Sequence, residues 1–210
     1  MNKNINNIEV EHRGSLTEKQ FKELNKFLKN NGKFLKEKDR FSIIYSPRGK
    51  ETFKLSKSKI DLKLRITNKK TELVLKYGNW SGNDARKEFN FPIDSKKFED
   101  MTELLHILGL YYGGLQATKT MVYLYKGVEF ALVKVPGWGY YFEAEINVNH
   151  DLVDKANKKI NLVCLELGLE ALDKKGFYDL CNQLNQRTGF RFNFKKEKFS
   201  DIKKRFINYF

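Results

Sequence analysis

The sequence predicts an α+β fold in which helices pack outside an antiparallel sheet or barrel. Two features point that way. Stretches with apolar residues at helical spacing are interspersed among longer runs of short β-rich segments, and no linker divides the runs. Those β-rich segments alternate apolar with charged side chains, so each has one face suited to a core and one that is not.

The elements follow in order. Ile8–Arg13 reads as an opening strand. Thr17 is placed to cap a helix carrying Phe21, Leu24 and Leu28, which Asn31-Gly32 ends. Ser42–Tyr45, Thr52–Leu55, Asp61–Thr67, Glu72–Tyr77 and Lys87–Pro92 read as strands. Pro47-Arg48-Gly49, Asn68-Lys69-Lys70 and Gly78–Asp84 supply the turns between them. A second helix over Ser95–Leu110 places Phe98, Met101, Leu105 and Leu108 on one face, and Gly113-Gly114 is expected to end it. Thr118–Tyr125, Val128–Val135 and Tyr140–Asn147 read as three more strands. Helices are expected over Asp151–Leu167 and Lys174–Arg187, then a strand and a last amphipathic helix carrying Ile202 and Phe206. The 210 residues suit one domain, 1–210.

Composition narrows the classes. At 40% hydrophobic and 31% charged, the chain is an ordinary globular one. It has no apolar run near the ~18 residues of a membrane helix, and no apolar core of a secretory signal near its start. A cytoplasmic location and no membrane partner are the resulting expectations. Two cysteines, Cys164 and Cys181, suggest reduced core residues rather than a disulfide framework or zinc cluster. A net charge of +14 favours polyanionic partners, and it equally fits a lysine-rich solvated surface. Lys19, Lys22, Lys26, Lys29, Lys33, Lys36 and Lys38 read as such surface residues. Nucleic acid is a possible partner but not the favoured one. The three histidines have no Ser or Cys partner in a nucleophile motif, and no phosphate-binding glycine loop of the Walker kind is present.

The charged faces carry the information. Glu9, Glu11 and Arg13 oppose Ile8, Val10 and His12. Asp61, Lys63 and Arg65 oppose Leu62, Leu64 and Ile66. Glu72, Val74 and Lys76 oppose Leu73, Leu75 and Tyr77. Arg86, Glu88 and Asn90 oppose Phe89 and Phe91. Tyr141, Glu143 and Glu145 oppose Phe142, Ala144 and Ile146. A half-exposed sheet with its charges in water would give the same pattern on any one strand. A closed sheet with helices outside would turn all these charges into one lumen. Crowded carboxylates there repel one another unless a cation relieves them, and hard oxygen donors suit Mg²⁺ or Mn²⁺. Basic groups beside them call for an anion such as phosphate. Together they are the equipment of phosphoryl transfer.

Several stretches resemble the CYTH, or triphosphate tunnel metalloenzyme, family. That family includes class IV adenylyl cyclases, thiamine triphosphatases and inorganic triphosphatases. Glu9-Val10-Glu11-His12-Arg13 resembles the ExExK/R signature that opens its members. Leu62-Lys63-Leu64-Arg65 is similar to its basic strand, Glu72–Lys76 with Tyr77-Gly78 to its LTxKG strand, and Arg86-Lys87-Glu88 to its RxE strand. Val135–Glu145 is similar to the V-x-G-L-G-x-F-x-E-x-E segment, and Phe177-Tyr178-Asp179-Leu180 to the SYxxLL helix. The resemblance covers about 8–184 and leaves a basic extension over 188–210.

The resemblance implies an eight-stranded antiparallel β-barrel, or triphosphate tunnel, with helices outside. It implies metal ligands at Glu9, Glu11, Glu143 and Glu145, with Glu88 assisting or orienting a basic neighbour. Arg13, Lys63, Arg65, Lys76, Arg86 and Lys119 would bind the substrate, and Glu9, Glu11 and Lys76 would serve catalysis. The expected function is metal-dependent hydrolysis of an inorganic or organic triphosphate by a monomer or homodimer. The alternatives are a class IV-like adenylyl cyclase and a catalytically weakened module that binds nucleotide, polyphosphate or RNA. Two departures favour the last. A family K-x-R pair reads Lys119-Thr120-Met121, and a family LD reads Leu132-Val133, with Glu129 on the face of Val133.

Overall fold

A computed structural model describes residues 8–46, 59–78, 87–185 and 190–210. In chain order these form β1 (Ile8–Leu16), α1 (Glu18–Asn31), β2 (Lys33–Tyr45), β3 (Ile60–Thr67), β4 (Lys70–Tyr77) and β5 (Lys87–Ile93). Then come α2 (Phe98–Ile107), β6 (Tyr112–Tyr125), β7 (Val128–Val135), β8 (Gly139–Val148), α3 (Val153–Glu166), α4 (Lys174–Asn185), β9 (Arg191–Asn193) and α5 (Phe199–Arg205). Single 3₁₀ turns precede α2 and α3 and close the chain. The expected strand Thr52–Leu55, and with it Arg86, lies outside the described residues. So does the side chain of Cys181, whereas Cys164 is a buried free thiol.

Eight antiparallel strands form one curled sheet in the order β1-β8-β7-β6-β2-β3-β4-β5, and β9 adds to β6. The fold is therefore the expected α+β one, with helices on the convex side. The path ends at β1 and β5, which are not hydrogen-bonded to each other among the described residues. Short turns set the register. Asn68 and Lys69 take positive φ between β3 and β4, as do Lys126 and Gly127 between β6 and β7. Gly137 also has positive φ, at 69°, in the loop before β8.

Thr17 caps α1 through a reciprocal box with Gln20. The helix then buries Phe21, Leu24 and Leu28. Together with Ile160, Val163 and Cys164 of α3, they cover the outer faces of β1, β7 and β8. A second core joins Phe41 and Ile43 of β2 and Leu64 of β3 to α2, Phe192, Ile202 and Phe206. The basic extension is thus built in: α5 packs Ile202 at 0% exposure, and β9 pairs with Tyr112–Gly114. A third apolar group, Val122, Ala131, Val133, Val135 and Tyr141, lies apart from the other two. Of these, Val133, Val135 and Tyr141 face the concave side.

Two expectations are corrected. Gly113-Gly114 lies inside β6 and ends no helix. A Cβ at Gly113 would collide with the carbonyl of Ile44 and come 2.6 Å from the Phe192 ring, so glycine here permits close strand packing. The second strand begins at Lys33, not Ser42. Its register shifts between Phe34 and Lys36, which hides the alternation that resumes afterwards.

Candidate active site

The concave face encloses a cavity of about 300 Å³. Period-two alternation delivers its lining strand by strand. Glu9, Glu11 and Arg13 come from β1, and Glu143 and Glu145 from β8. Lys38 and Arg40 come from β2, Asp61, Lys63 and Arg65 from β3, Lys76 from β4 and Glu88 from β5. Nine of the residues expected at the site therefore meet in one cavity. Arg86 lies outside the described residues.

Lys119 is the exception. It stands on the opposite face of β6, 58% exposed, with its Nζ 3.9 Å from Asp39. The β6 residues that line the cavity are Leu115, Gln116, Thr118 and Thr120. Met121 likewise faces outward and packs against the α1–α3 core. A side chain at position 121 therefore faces that core and not the cavity.

The acidic side is built on the β1–β8 ladder. Glu11 stands directly opposite Glu145, and Arg13 opposite Glu143. Carboxylate oxygens of Glu9, Glu11 and Glu145 all lie within 4.8 Å of one another. Burial pushes the Glu11 carboxyl up to about 7; Arg13 pulls it down, and Glu143 and Glu9 push it further up. Burial, then Glu9, Glu11, Glu143 and Glu129, push Glu145 up to about 8. Glu129 faces Glu145 across the β7–β8 ladder and lies 4.0 Å from Lys36, outside the cavity lining.

Glu143 is separated from this trio by its partner. Arg13 Nε lies 3.0 Å from Glu143, and its Nη2 lies 2.7 Å from Glu11. Burial raises the Glu143 carboxyl, but Arg13, Lys76, Lys38 and Arg40 outweigh it and hold it below its ordinary value. Glu88 lies 2.9 Å from Lys76. Lys76 also approaches Glu9 at 3.7 Å. Burial lowers the Lys76 ammonium, yet Glu9, Glu88 and Glu11 raise it on balance, so it stays charged.

The basic side faces this group from β2, β3 and β4. Arg65 pairs with Glu72 at 2.7 Å and Lys63 with Asp61 at 3.0 Å. Lys38 and Arg40 were not expected here. Burial lowers both, and neighbouring cations lower them further: Arg40 and Lys36 act on Lys38, and Arg65 acts on Arg40. Among the described residues Lys38 has no ion pair, although Glu143 and Glu145 attract it from across the cavity. Two crowded cations in a cleft form a receptor for an anion. The signal was available in Lys36-x-Lys38-x-Arg40-x-Ser42, a period-two run interrupted only at its start by the shift.

No family model matches the chain, and no curated protein matches it. Its fold matches solved structures. A Pyrococcus horikoshii protein is similar over 83% of this chain and 98% of its own, with 23% identity and a TM-score of 0.64. A conserved hypothetical protein of Pyrococcus furiosus is similar over 77% and 91%, with 23% identity and a TM-score of 0.63. HpAC1 from Hippeastrum, a candidate adenylyl cyclase described as having a dominant triphosphatase activity, is similar over 81% and 91%, with 17% identity and a TM-score of 0.58. At these identities the likeness is one of fold, and the fold is the CYTH type whose motifs the sequence resembles. No helix among the described residues is long and apolar enough to cross a membrane.

Proposed function

We propose that the chain is a metal-dependent triphosphatase that hydrolyses a triphosphate held between the two charged walls of its cavity. One observation carries this reading. A carboxylate trio, Glu9, Glu11 and Glu145, faces a basic wall of Lys38, Arg40, Lys63, Arg65 and Lys76 across a single cavity.

The trio suits a hard divalent cation, Mg²⁺ or Mn²⁺. Its oxygens converge, it has no neutral donor, and burial together with neighbouring carboxylates raises Glu11 and Glu145. A cation bound there would polarise a phosphoryl oxygen and lower the pKa of a bound water. Lys38 and Arg40 receive phosphate oxygens with no ion pair to break at Lys38. Arg65 and Lys63 each exchange part of a carboxylate contact for phosphate. Lys76 remains protonated beside Glu9 and Glu88 and neutralises charge developing on the bridging oxygen. Arg13 holds Glu143 and keeps the wall of the acidic ladder in register.

The neutral β6–β7 wall supports a second reading, a binding module with weakened catalysis. Gln116, Thr118, Thr120 and Val133 line the cavity there, and none of them is charged. The two readings separate in one assay. Purified protein with Mg²⁺ or Mn²⁺ is given inorganic triphosphate, thiamine triphosphate and ATP, and phosphate and cyclic nucleotide are measured apart. Phosphate release that Glu11→Gln abolishes supports the triphosphatase. Cyclic-nucleotide formation would replace it with a cyclase. Binding without turnover would replace it with the module.

A further inference from the structure

We infer that the chain associates head to tail with a second copy of itself, the outer face of α2 on one copy seating against the outer face of α3 on the other. The inference is independent of the triphosphate reading, because neither face lines the cavity.

Among the described residues, the four most exposed large apolar side chains fall in two pairs. Ile107 ends α2 at 73% exposure, and Leu108 follows it at 68%. Leu162 and Leu165 stand near the end of α3 at 68% and 73%. A single exposed leucine is ordinary on a protein surface, whereas a group of them on one side of a helix marks a contact. The helical period explains their placement. α2 turns Phe98, Thr102 and Leu105 inward, and Glu99, Glu103 and Ile107, each four residues from the last, run along its outer side. α3 turns Ala156, Ile160, Val163 and Cys164 inward, and Lys155, Lys158, Leu162 and Leu165 form its outer stripe.

The two stripes match in order and oppose in sign. Each begins charged and ends apolar. Glu103 stands four residues before Ile107, and Lys158 four before Leu162, about 6 Å along the axis in both helices. Laid side by side in the same direction, the helices set Glu99 and Glu103 against Lys155 and Lys158, and Ile107 and Leu108 against Leu162 and Leu165. Among the described residues none of these four charged groups makes an ion pair within the chain. Asp100, next to Glu99, is already paired with Lys97 at 2.7 Å. A net charge of +14 makes two copies repel in most orientations, so an acidic face decides where they can meet. The two helices do not cover each other in a single chain. α2 belongs to the core over β2 and β3, and α3 to the core over β1, β7 and β8. Because unlike faces meet, the contact is heterologous, and each pair keeps one free face of either kind.

Sedimentation equilibrium of the purified protein, with no metal or triphosphate added, tests this. The average mass should rise above that of one chain as concentration increases. Ile107→Lys and Leu162→Glu, both at exposed positions, should each weaken association by about tenfold or more, since each sets a charge against an apolar partner. Circular dichroism checks that both variants fold. An equimolar mixture of the two should associate again, because each copy supplies the face the other has lost. Loss of association in one variant only would mean that its helix pairs with its own copy, and overturns the inference. A mass of one chain up to about 1 mM overturns it as well. Cosedimentation of that single chain with phosphatidylserine vesicles, abolished by Leu162→Glu, would give the α3 stripe to a lipid surface instead.

Discussion

Lys76 on β4 reaches Glu9 on β1, 3.7 Å away, although the two strands stand near opposite ends of the hydrogen-bonded path. Among the described residues, this ion pair spans a seam that the backbone leaves unpaired. Both partners also line the cavity, so the contact that draws the sheet's ends together belongs to the site itself.

Glu11→Gln should remove triphosphate hydrolysis by about 100-fold or more, because it takes one oxygen ligand and one charge from the trio. Steady-state phosphate release with Mg²⁺ or Mn²⁺ measures this, with the thermal midpoint as a check on folding. Near-normal turnover would show that the trio holds no catalytic cation.

Metal-free protein should lose stability as pH rises from about 5 to 8. Glu11 and Glu145 have folded values raised to about 7 and 8. Over that interval the unfolded chain has already released these protons while the folded chain retains them. The unfolded state thus binds fewer protons, and alkali favours it. Glu143 and Glu88 are shifted downward, so they lose their stabilising contribution only on acidification below their ordinary range. Chemical denaturation in EDTA at several pH values reads the slope, and Glu145→Gln should flatten it. A stability that rises through this interval would contradict the burial and crowding of Glu11 and Glu145.

Lys38→Ala should weaken triphosphate binding by about tenfold, the worth of one charge-assisted contact. It should leave stability unchanged or improved, because Arg40 and Lys36 repel the ammonium it removes. Lys119→Ala, on the outer face, should leave affinity within about twofold. Titration calorimetry on both variants decides the orientation of β2 and β6, and equal losses would reverse it.

Gly14→Ala should cost about 3 kcal/mol, as an overpacked site does. The added methyl would collide with the Glu170 carbonyl and lie within 2.8 Å of the Phe142 ring. Urea unfolding measures the loss, and a neutral result would mean the segment leading to α4 does not lie against β1.

Much of this was legible from alternation. Glu9-x-Glu11 and Glu143-x-Glu145 announced a charged face, and the β1–β8 ladder then placed Glu11 against Glu145. What alternation cannot state is where a strand begins after a register shift. Lys38 and Arg40 were therefore read past, one as a solvated lysine. Nor can local chemistry separate a glycine that ends a helix from one that admits a neighbouring strand, as Gly113 does beneath Phe192. Lys119 failed for a third reason. The motif K-x-R was matched by residue type, while the pleat had already assigned the lumen to Thr118 and Thr120.

Lys76 also bears on how the curled sheet is fastened. Glu88 holds it within the β4–β5 ladder, and Glu9 draws it toward β1. One ammonium thus links three strands, so removing it would loosen β1 from β4 as well as change the charge of the cavity.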